Sequence, residues 1–490
     1  MLFPLSLVSA PIKDSSPVLS AQVCRQAITS VNVVTTSNPR NTPDSTDDFA
    51  NSTRLPHTSR SDPSTMAMTL TLGFVGSIRH FLVSAARWAW GLPEPAATEP
   101  LVIEFLPRTY SADSACGKKR WIKLILRSSG SQWHLKFTFS GTVVQDGTRP
   151  IVAKGMKRRN DLQDLCRCID FRQIPLLDDT VTEVILSLDP SPDSVKLPYT
   201  IQPSVDSEYA SIISHLWVRT LEDPLRIRFP VYDSSNGIPA RRLSEIREKE
   251  ELNGDSVYKV LLHGDETPYV YKEIERAHYV PRDTEVLEQE LRNLDMFRGT
   301  TARIVQLIAA VVSQNPYQTT QPGKECDPVV LRGFLLEYHP NGTLESVLKS
   351  PTPKARERWR EWALQIASAL AEMHHHGLAH MDLKPSNVVL SRESDAVLID
   401  ISGIGGVTRQ WLCPEMLESK KDPLSWSIAA QQQNDIWALG KILLAMADAC
   451  CADEQEQLLR SVALATTYRC PRIPLSDVIA ALSGRPSPIV

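Results

Sequence analysis

The sequence predicts an α+β fold, and three observations carry that prediction. Residues 99–235 hold short apolar or alternating runs broken by Ser, Gly and Asp, a strand signature, so this part is expected to be a β-rich accessory domain. Residues 240–490 combine one alternating run, Tyr269–Ile274, with apolar stripes at helical spacing. Trp359, Trp362, Ile366, Leu370 and Met373 form one stripe and Leu439, Ile442, Leu443 and Met446 another, each turning one helix face toward a core. Residues 1–65, by contrast, are rich in Ser, Thr, Asn and Pro with few aromatics. Such a stretch cannot bury enough apolar area to offset its ordering entropy, so it is expected to be disordered and of low complexity.

In chain order, Met1–Ala10 has a brief apolar run without a basic start, a poor secretory signal. Residues 66–98 follow as an amphipathic helical segment, with Phe74, Ile78, Phe81, Leu82, Ala85 and Trp88 at helical spacing. Arg79 and Arg87 inside the run argue against a membrane-spanning helix. The favoured expectation is a helix packed on its own protein; the alternative is membrane-surface contact through 66–92, or an organelle presequence starting at Met66 or Met68. In the accessory domain, Leu101–Phe105, Trp121–Leu126 and Trp133–Phe139 read as strands, Pro190-Ser191-Pro192 as a loop and Asp233–Gly237 as a linker. No acid, base or nucleophile constellation stands out there, which points to binding or regulation.

The chain has 53 Lys and Arg against 57 Asp and Glu, a net charge of −4, so nothing drives it as a whole toward nucleic acid or a membrane, and no nucleic-acid partner is expected. Lys118-Lys119-Arg120 and Lys157-Arg158-Arg159 read as solvated loop charges. Cys166-Arg167-Cys168 and Cys450-Cys451 lack a second pair at zinc-like spacing, and the nine cysteines look like reduced thiols of an intracellular protein, cytoplasmic or nuclear. His374-His375-His376 makes a poor metal cage, because successive helical residues point in different directions.

The C-terminal half concentrates the chemistry. His380-Met381-Asp382-Leu383-Lys384-Pro385-Ser386-Asn387 puts a carboxylate, a cation and an amide in one loop. Phosphoryl transfer needs those groups to orient a hydroxyl, meet the transferring phosphate and hold a metal. Upstream lies Lys272 in the alternating run, then a helix-forming segment from Glu285 to Phe297 with Glu288 and Glu290. Phe334–Tyr338 reads as a strand, Asn341-Gly342-Thr343-Leu344 as a turn into a helix, and Ala396–Asp400 as a short strand delivering a carboxylate. Thr408-Arg409-Gln410-Trp411-Leu412-Cys413-Pro414-Glu415 and Asp435-Ile436-Trp437-Ala438-Leu439-Gly440 complete the series.

In this order the motifs resemble those of the protein kinase superfamily, of the Ser/Thr type, over residues 240–490. The resemblance implies a bilobal fold, N-lobe 240–337 and C-lobe 338–490, that uses ATP and Mg2+ and acts on a protein substrate. It implies that Asp382 orients the substrate hydroxyl, Lys384 stabilises the transferring charge and Thr408 contacts both. Asn387 and Asp400 would hold magnesium. Lys272 would hold the α- and β-phosphates, paired with Glu290 in preference to Glu288. Gly254 and Val257 would cover the nucleotide, Leu336 would guard the back of its pocket, and the backbone around Glu337 and Tyr338 would meet the adenine. Asp435 would brace the catalytic loop, and Arg472 is a candidate partner for Glu415.

Three departures qualify the resemblance. Leu252–Tyr258 has one glycine where the family has two or three, which weakens the approach of backbone amides to phosphates. Met381 replaces the arginine that in many kinases meets an activation-segment phosphate, and a thioether cannot hold one. The stretch from Asp400 to Glu415 is short, and Asp400-Ile401-Ser402 stands for Asp-Phe-Gly. The leading expectation is an active kinase that needs no activation-loop phosphate. The alternative is a pseudokinase, an interaction module that keeps the fold; a small-molecule phosphotransferase ranks third. A narrower, looser resemblance is to divergent protein kinase-like proteins of filamentous fungi.

Overall fold

A computed structural model describes residues 100–489 except 113–118, 142–150, 254–255, 277, 321–328, 451–452 and 469–471. The expectations for 1–65, for the helical segment 66–98 and for Gly254 lie outside the described residues.

The upstream region is β-rich. Its strands are β1 (Val102–Phe105), β2 (Ser111–Ala112), β3 (Lys119–Ser128), β4 (Ser131–Ser140), β5 (Val181–Ser187), β6 (Val195–Lys196) and β7 (Trp217–Glu222). They form one sheet in the order β1-β3-β4-β5-β7-β6, with β2 beside β3. The β3–β4 hairpin turns through Ser129 and Gly130, both at positive φ, a conformation that suits a tight hairpin and that glycine adopts freely. Helix α1 (Ile151–Cys168) crosses over from β4 to the parallel strand β5. Its Leu162, Leu165 and Cys166 pack on the alternate residues Ile122, Leu124 and Leu126 of β3 and on Leu135, Phe137 and Phe139 of β4.

Two expectations for this region need correction. Lys157, Arg158 and Arg159 lie on α1 rather than in a loop, and Lys157 pairs with Asp161 one turn on at 2.6 Å. Gly155 and the polar run Lys157–Asn160 hid the helix, whose apolar stripe begins only at Leu162. Arg120 is a buried strand residue, not a solvated charge: strand alternation puts it on the same face as Ile122, where it meets Glu208 and the rings of Phe139 and Tyr209. On the opposite face Lys136 pairs with Glu183 at 3.2 Å and Asp223 at 3.0 Å, satisfying charges that burial alone would penalise.

The second sheet contains β8 (Ala240–Arg242), β9 (Ile246–Asn253), β10 (Val257–Leu262), β11 (Asp265–Glu273), β12 (Leu307–Gln314) and β13 (Val329–Glu337), in the order β8-β12-β13-β11-β10-β9. Helix α2 (Arg282–Met296) follows β11, with Leu287, Leu291 and Leu294 buried as its apolar stripe. The start of β4 is bonded to the turn after β12, where Gln132 N–H donates to Thr319 O at 2.7 Å. Asp179 and Thr319 bond reciprocally there: the Asp179 N–H donates to Thr319 Oγ1 at 2.8 Å, and the Thr319 N–H donates to Asp179 Oδ1 at 2.9 Å.

The remaining chain is mainly helical: α3 (Leu344–Lys349), α4 (Pro353–Glu357), α5 (Trp359–His375), α6 (Pro414–Glu418), α7 (Ile428–Asp448), α8 (Asp453–Thr467) and α9 (Leu475–Leu482). A small hairpin, β14 (Val388–Leu390) and β15 (Ala396–Leu398), lies between α5 and α6. The stripes read from the sequence on α5 and α7 are buried together in one core that also takes in α2. Val305 N–H donates to Leu398 O at 2.9 Å, tying this hairpin to the strand-rich lobe. Among the described residues no helix is long and apolar enough to cross a membrane.

Candidate active site

The site forms where β11, α2 and the loops around β14 and β15 meet. Lys272 stands on β11, opposite Val257 of β10 on one side and Phe334 of β13 on the other. β13 comes this close because residue 333 is glycine: a Cβ there would lie 2.1 Å from Lys272 O. Lys272 Nζ donates to Glu290 Oε2 at 2.6 Å and to Asp400 Oδ1 at 2.9 Å. Of the two candidates, Glu288 and Glu290, it is therefore Glu290 that meets Lys272. Burial disfavours the Lys272 ammonium, but Asp400 and Glu290 outweigh it and hold its pKa above the ordinary value. Lys272 in turn holds the Asp400 carboxyl below its usual range, whereas burial pushes Glu290 upward.

The loop Ala379–Asn387 is organised from below by Asp435, fully buried on α7. Its carboxylate accepts from the N–H groups of His380 and Met381, both at 2.8 Å, and lies 3.0 Å from His374 Nε2. That capture fixes Met381 at φ +64°, an uncommon conformation for a non-glycine residue. The Met381 side chain is buried with Ala379, Leu412, Cys413 and Met416, so it packs against the segment that ends in Glu415.

Asp382 Oδ1 accepts from Thr408 N–H at 2.9 Å, and Oδ2 accepts from Lys384 Nζ at 2.6 Å. Lys384 Nζ also donates to Thr408 Oγ1 at 2.9 Å, closing a triangle. Asn387 donates Nδ2 to Asp382 O at 2.9 Å, which turns its Oδ1 away as a free acceptor. Asp400, at φ +59°, uses Oδ1 for Lys272 and keeps Oδ2. Asn387 and Asp400 thus offer the hard oxygen donors that magnesium prefers. Among the described residues no group of three or more His, Cys, Asp or Glu could hold a metal, so these two side chains alone do not complete a cation's coordination shell.

Leu336 is buried on β13 opposite Val270 and Leu307. Glu337 is occupied on both sides: its N–H donates to Gln306 O at 3.1 Å, and its Oε1 accepts from Gln306 N–H at 3.0 Å. Tyr338, next in the chain, is half-exposed. Arg472 meets Glu415 through two bonds of 2.9 and 3.1 Å.

Sequence reasoning missed Asn293, buried one turn beyond Glu290. Its Nδ2 donates to Ile401 O at 2.7 Å and Ser402 O at 3.3 Å, and its Oδ1 accepts from Gln289 Nε2 at 2.8 Å. A signal was present: an amide between the apolar positions Leu291 and Leu294 of the helix.

A strand-rich lobe and a helical lobe meet where Lys272, Glu290 and Asp400 converge, next to the loop that carries Asp382, Lys384 and Asn387. The protein kinase domain model matches residues 253–470. A segment of 126 residues is 32% identical to 3-phosphoinositide-dependent protein kinase B of Dictyostelium discoideum, covering 22% of this chain and 13% of that protein. Another of 128 residues is 35% identical to the serine/threonine-protein kinase ksp1 of Schizosaccharomyces pombe, covering 22% and 26%. A longer match of 230 residues is 24% identical to the serine/threonine-protein kinase PKH2 of Candida albicans, covering 42% and 22%. The chain thus matches only about a quarter or less of the length of these three relatives. Through residues 253–470 it belongs to the protein kinase superfamily.

Proposed function

We propose that the protein is a Mg·ATP-dependent protein serine/threonine kinase that transfers the γ-phosphate of ATP to a protein hydroxyl. The observation that carries this reading is the closed triangle of Asp382, Lys384 and Thr408 beside Asn387 and Asp400. A buried scaffold has no need of so many charged groups aimed into one cleft. Asp382 accepts the hydrogen bond of the incoming hydroxyl, aligns it and takes up its proton as the oxygen–phosphorus bond forms. Lys384, already within reach of Asp382, stabilises charge on the transferring phosphoryl group. Lys272, held by Glu290, binds the α- and β-phosphates. Asn387 and Asp400 would hold magnesium, which would supply neutralisation of the phosphate charge. Val257, Leu336 and the backbone of Glu337 and Tyr338 frame the adenine.

The buried Met381 supports activity without an activation-segment phosphate, because an apolar cluster stands where a cationic phosphate receiver would be needed. The buried free thiols of Cys166, Cys168 and Cys413 support a reducing intracellular compartment.

The test is transfer from labelled Mg·ATP to the protein itself and to a generic Ser/Thr substrate, in full-length protein and in Asp382→Asn and Asp400→Ala. Transfer that disappears in both variants is the expected result. A well-folded wild type that transfers nothing to any substrate class would favour the pseudokinase instead. Phosphatase treatment should leave the activity intact; its loss together with phosphate found on Thr408 would sink the phosphate-independent reading.

A further inference from the structure

We infer that Thr284 and Tyr279 are positioning residues of the phosphotransfer site: they fasten helix α2, and with it Glu290, to the segment 223–239 that joins the two sheets. The inference rests on the kinase reading only for what Glu290 does once placed.

The segment is anchored at both ends. Asp223 is buried at the end of β7, where its N–H donates to Val181 O at 2.9 Å and its carboxylate accepts from Lys136 at 3.0 Å. Toward the other end, Pro230 O accepts from Leu331 N–H at 2.8 Å, Tyr232 N–H donates to Val329 O at 2.9 Å, and Pro239 O accepts from Ala310 N–H at 2.8 Å. Its Ile227, Phe229, Tyr232 and Ile238 pack on the core that contains Leu287, Leu291 and Leu294 of α2.

Between these anchors the backbone of Arg228 closes a ring of three hydrogen bonds with α2 and the turn before it. Arg228 N–H donates to Tyr279 Oη at 2.9 Å, and Thr284 Oγ1 donates to Arg228 O at 2.8 Å. The Thr284 proton is thereby spent, so Tyr279 donates to Thr284 Oγ1 at 2.9 Å. Each hydroxyl gives one bond and takes one, and Thr284 is buried.

Directional bonds matter on this helix because its apolar stripe does not fix its position alone. Leu287, Leu291 and Leu294 give area-proportional, non-directional attraction, which tolerates rotation or sliding. Thr284 lies six residues before Glu290, about 9 Å along a rigid helix. A shift at Thr284 therefore appears at the Lys272–Glu290 contact, where donor and acceptor are only 2.6 Å apart. The β-rich region sets the start of the segment, so its placement is read by α2 through Arg228.

The experiment compares full-length wild type with Thr284→Val, Tyr279→Phe and Thr284→Ser. Amide hydrogen exchange is followed across α2, α5 and α7, alongside kcat and KM for phosphate transfer. Valine keeps the shape and loses the hydroxyl; serine keeps the hydroxyl. Thr284→Val and Tyr279→Phe should speed exchange in 282–296 about tenfold, the scale of one net hydrogen bond, while α5 and α7 keep wild-type protection. They should also lower kcat about tenfold with the protein-substrate KM unchanged, and Thr284→Ser should restore both readouts. Unchanged exchange in α2, equal loosening of α5 and α7, or no rescue by serine would overturn the inference. A loosened α2 with wild-type kcat would overturn it too and leave the kinase reading standing. If wild type transfers no phosphate but α2 exchange follows the substitutions as stated, the kinase reading falls and the fastening of α2 stands.

Discussion

Placing an arginine in the loop Ala379–Asn387, Met381→Arg, is expected to damage the protein rather than create a phosphate-responsive one. Met381 is 1% exposed, packed against Ala379, Leu412, Cys413 and Met416, with its N–H held by Asp435. Removing the thioether forfeits about 2 kcal/mol of apolar burial. A guanidinium in its place adds a desolvation cost of several kcal/mol, reduced where the side chain bends out to water. Glu415, at the end of the packed segment, already takes two bonds from Arg472. A net loss of about 4 kcal/mol follows, a large share of the ~5–15 kcal/mol that holds a domain together. At a slope of about 2 kcal/mol per molar urea, the unfolding midpoint should drop by about 2 M. Urea titration by tryptophan fluorescence measures it, with Met381→Leu as the volume-conserving control expected to cost less than about 1.5 kcal/mol. If Met381→Arg kept the wild-type midpoint and gained activity on phosphorylation of the following segment, the apolar account of this loop would be refuted.

Three further outcomes are expected. Gly333→Ala forces a methyl group to within 2.1 Å of Lys272 O and 2.9 Å of Glu273 Cα, so β11 or β13 must move; destabilisation of about 3 kcal/mol is expected, with weaker ADP binding measured by titration calorimetry. Asn293→Leu leaves Ile401 O and Ser402 O without their buried donor, and the magnesium-dependent gain in ADP affinity should shrink several-fold while metal-free affinity stays put; an unchanged gain would count against the role of Asn293. Burial pushes the thiols of Cys168 and Cys413 up to about 11, so at pH 8 only about one in a thousand is thiolate. Peptide mapping after iodoacetamide should show both protected in native protein, with alkylation rising about tenfold per pH unit from 8 to 10 and becoming rapid after unfolding.

The groups that carry charge chemistry were legible because their spacing is local. Asp382, Lys384 and Asn387 sit within one loop, and any chain that aims a carboxylate, a cation and an amide at one phosphate reveals them in order. The helices α5 and α7 were legible for a similar reason: their apolar stripes run uninterrupted through three or more turns. Helix α1 was not, since Gly155 and a charged turn precede a stripe that begins only at Leu162, and the crossover from β4 to the parallel β5 is what calls for a helix there. Buried charges were the least legible. Arg120 and Lys136 look like surface residues until Glu208, Glu183 and Asp223 arrive from as far as 88 positions away.

The same distinction explains how the site keeps Asp400 in place without the phenylalanine and glycine of Asp-Phe-Gly after it. Asp400-Ile401-Ser402 keeps the carboxylate, and Ile401 is fully buried, so the apolar slot stays filled by an aliphatic side chain. What a branched chain cannot supply is direction, and direction comes from α2. Glu290 reaches Asp400 through the Lys272 ammonium, while Asn293, one turn later, grips the carbonyls of Ile401 and Ser402. The helix therefore holds both the side chain of Asp400 and the backbone of the segment that follows it. Withdrawing the segment would strand a buried amide and two buried carbonyls, each costing about 1–3 kcal/mol. Where the sequence departs from Asp-Phe-Gly, the fold supplies a polar clamp through Asn293, and the two are coherent only when read together.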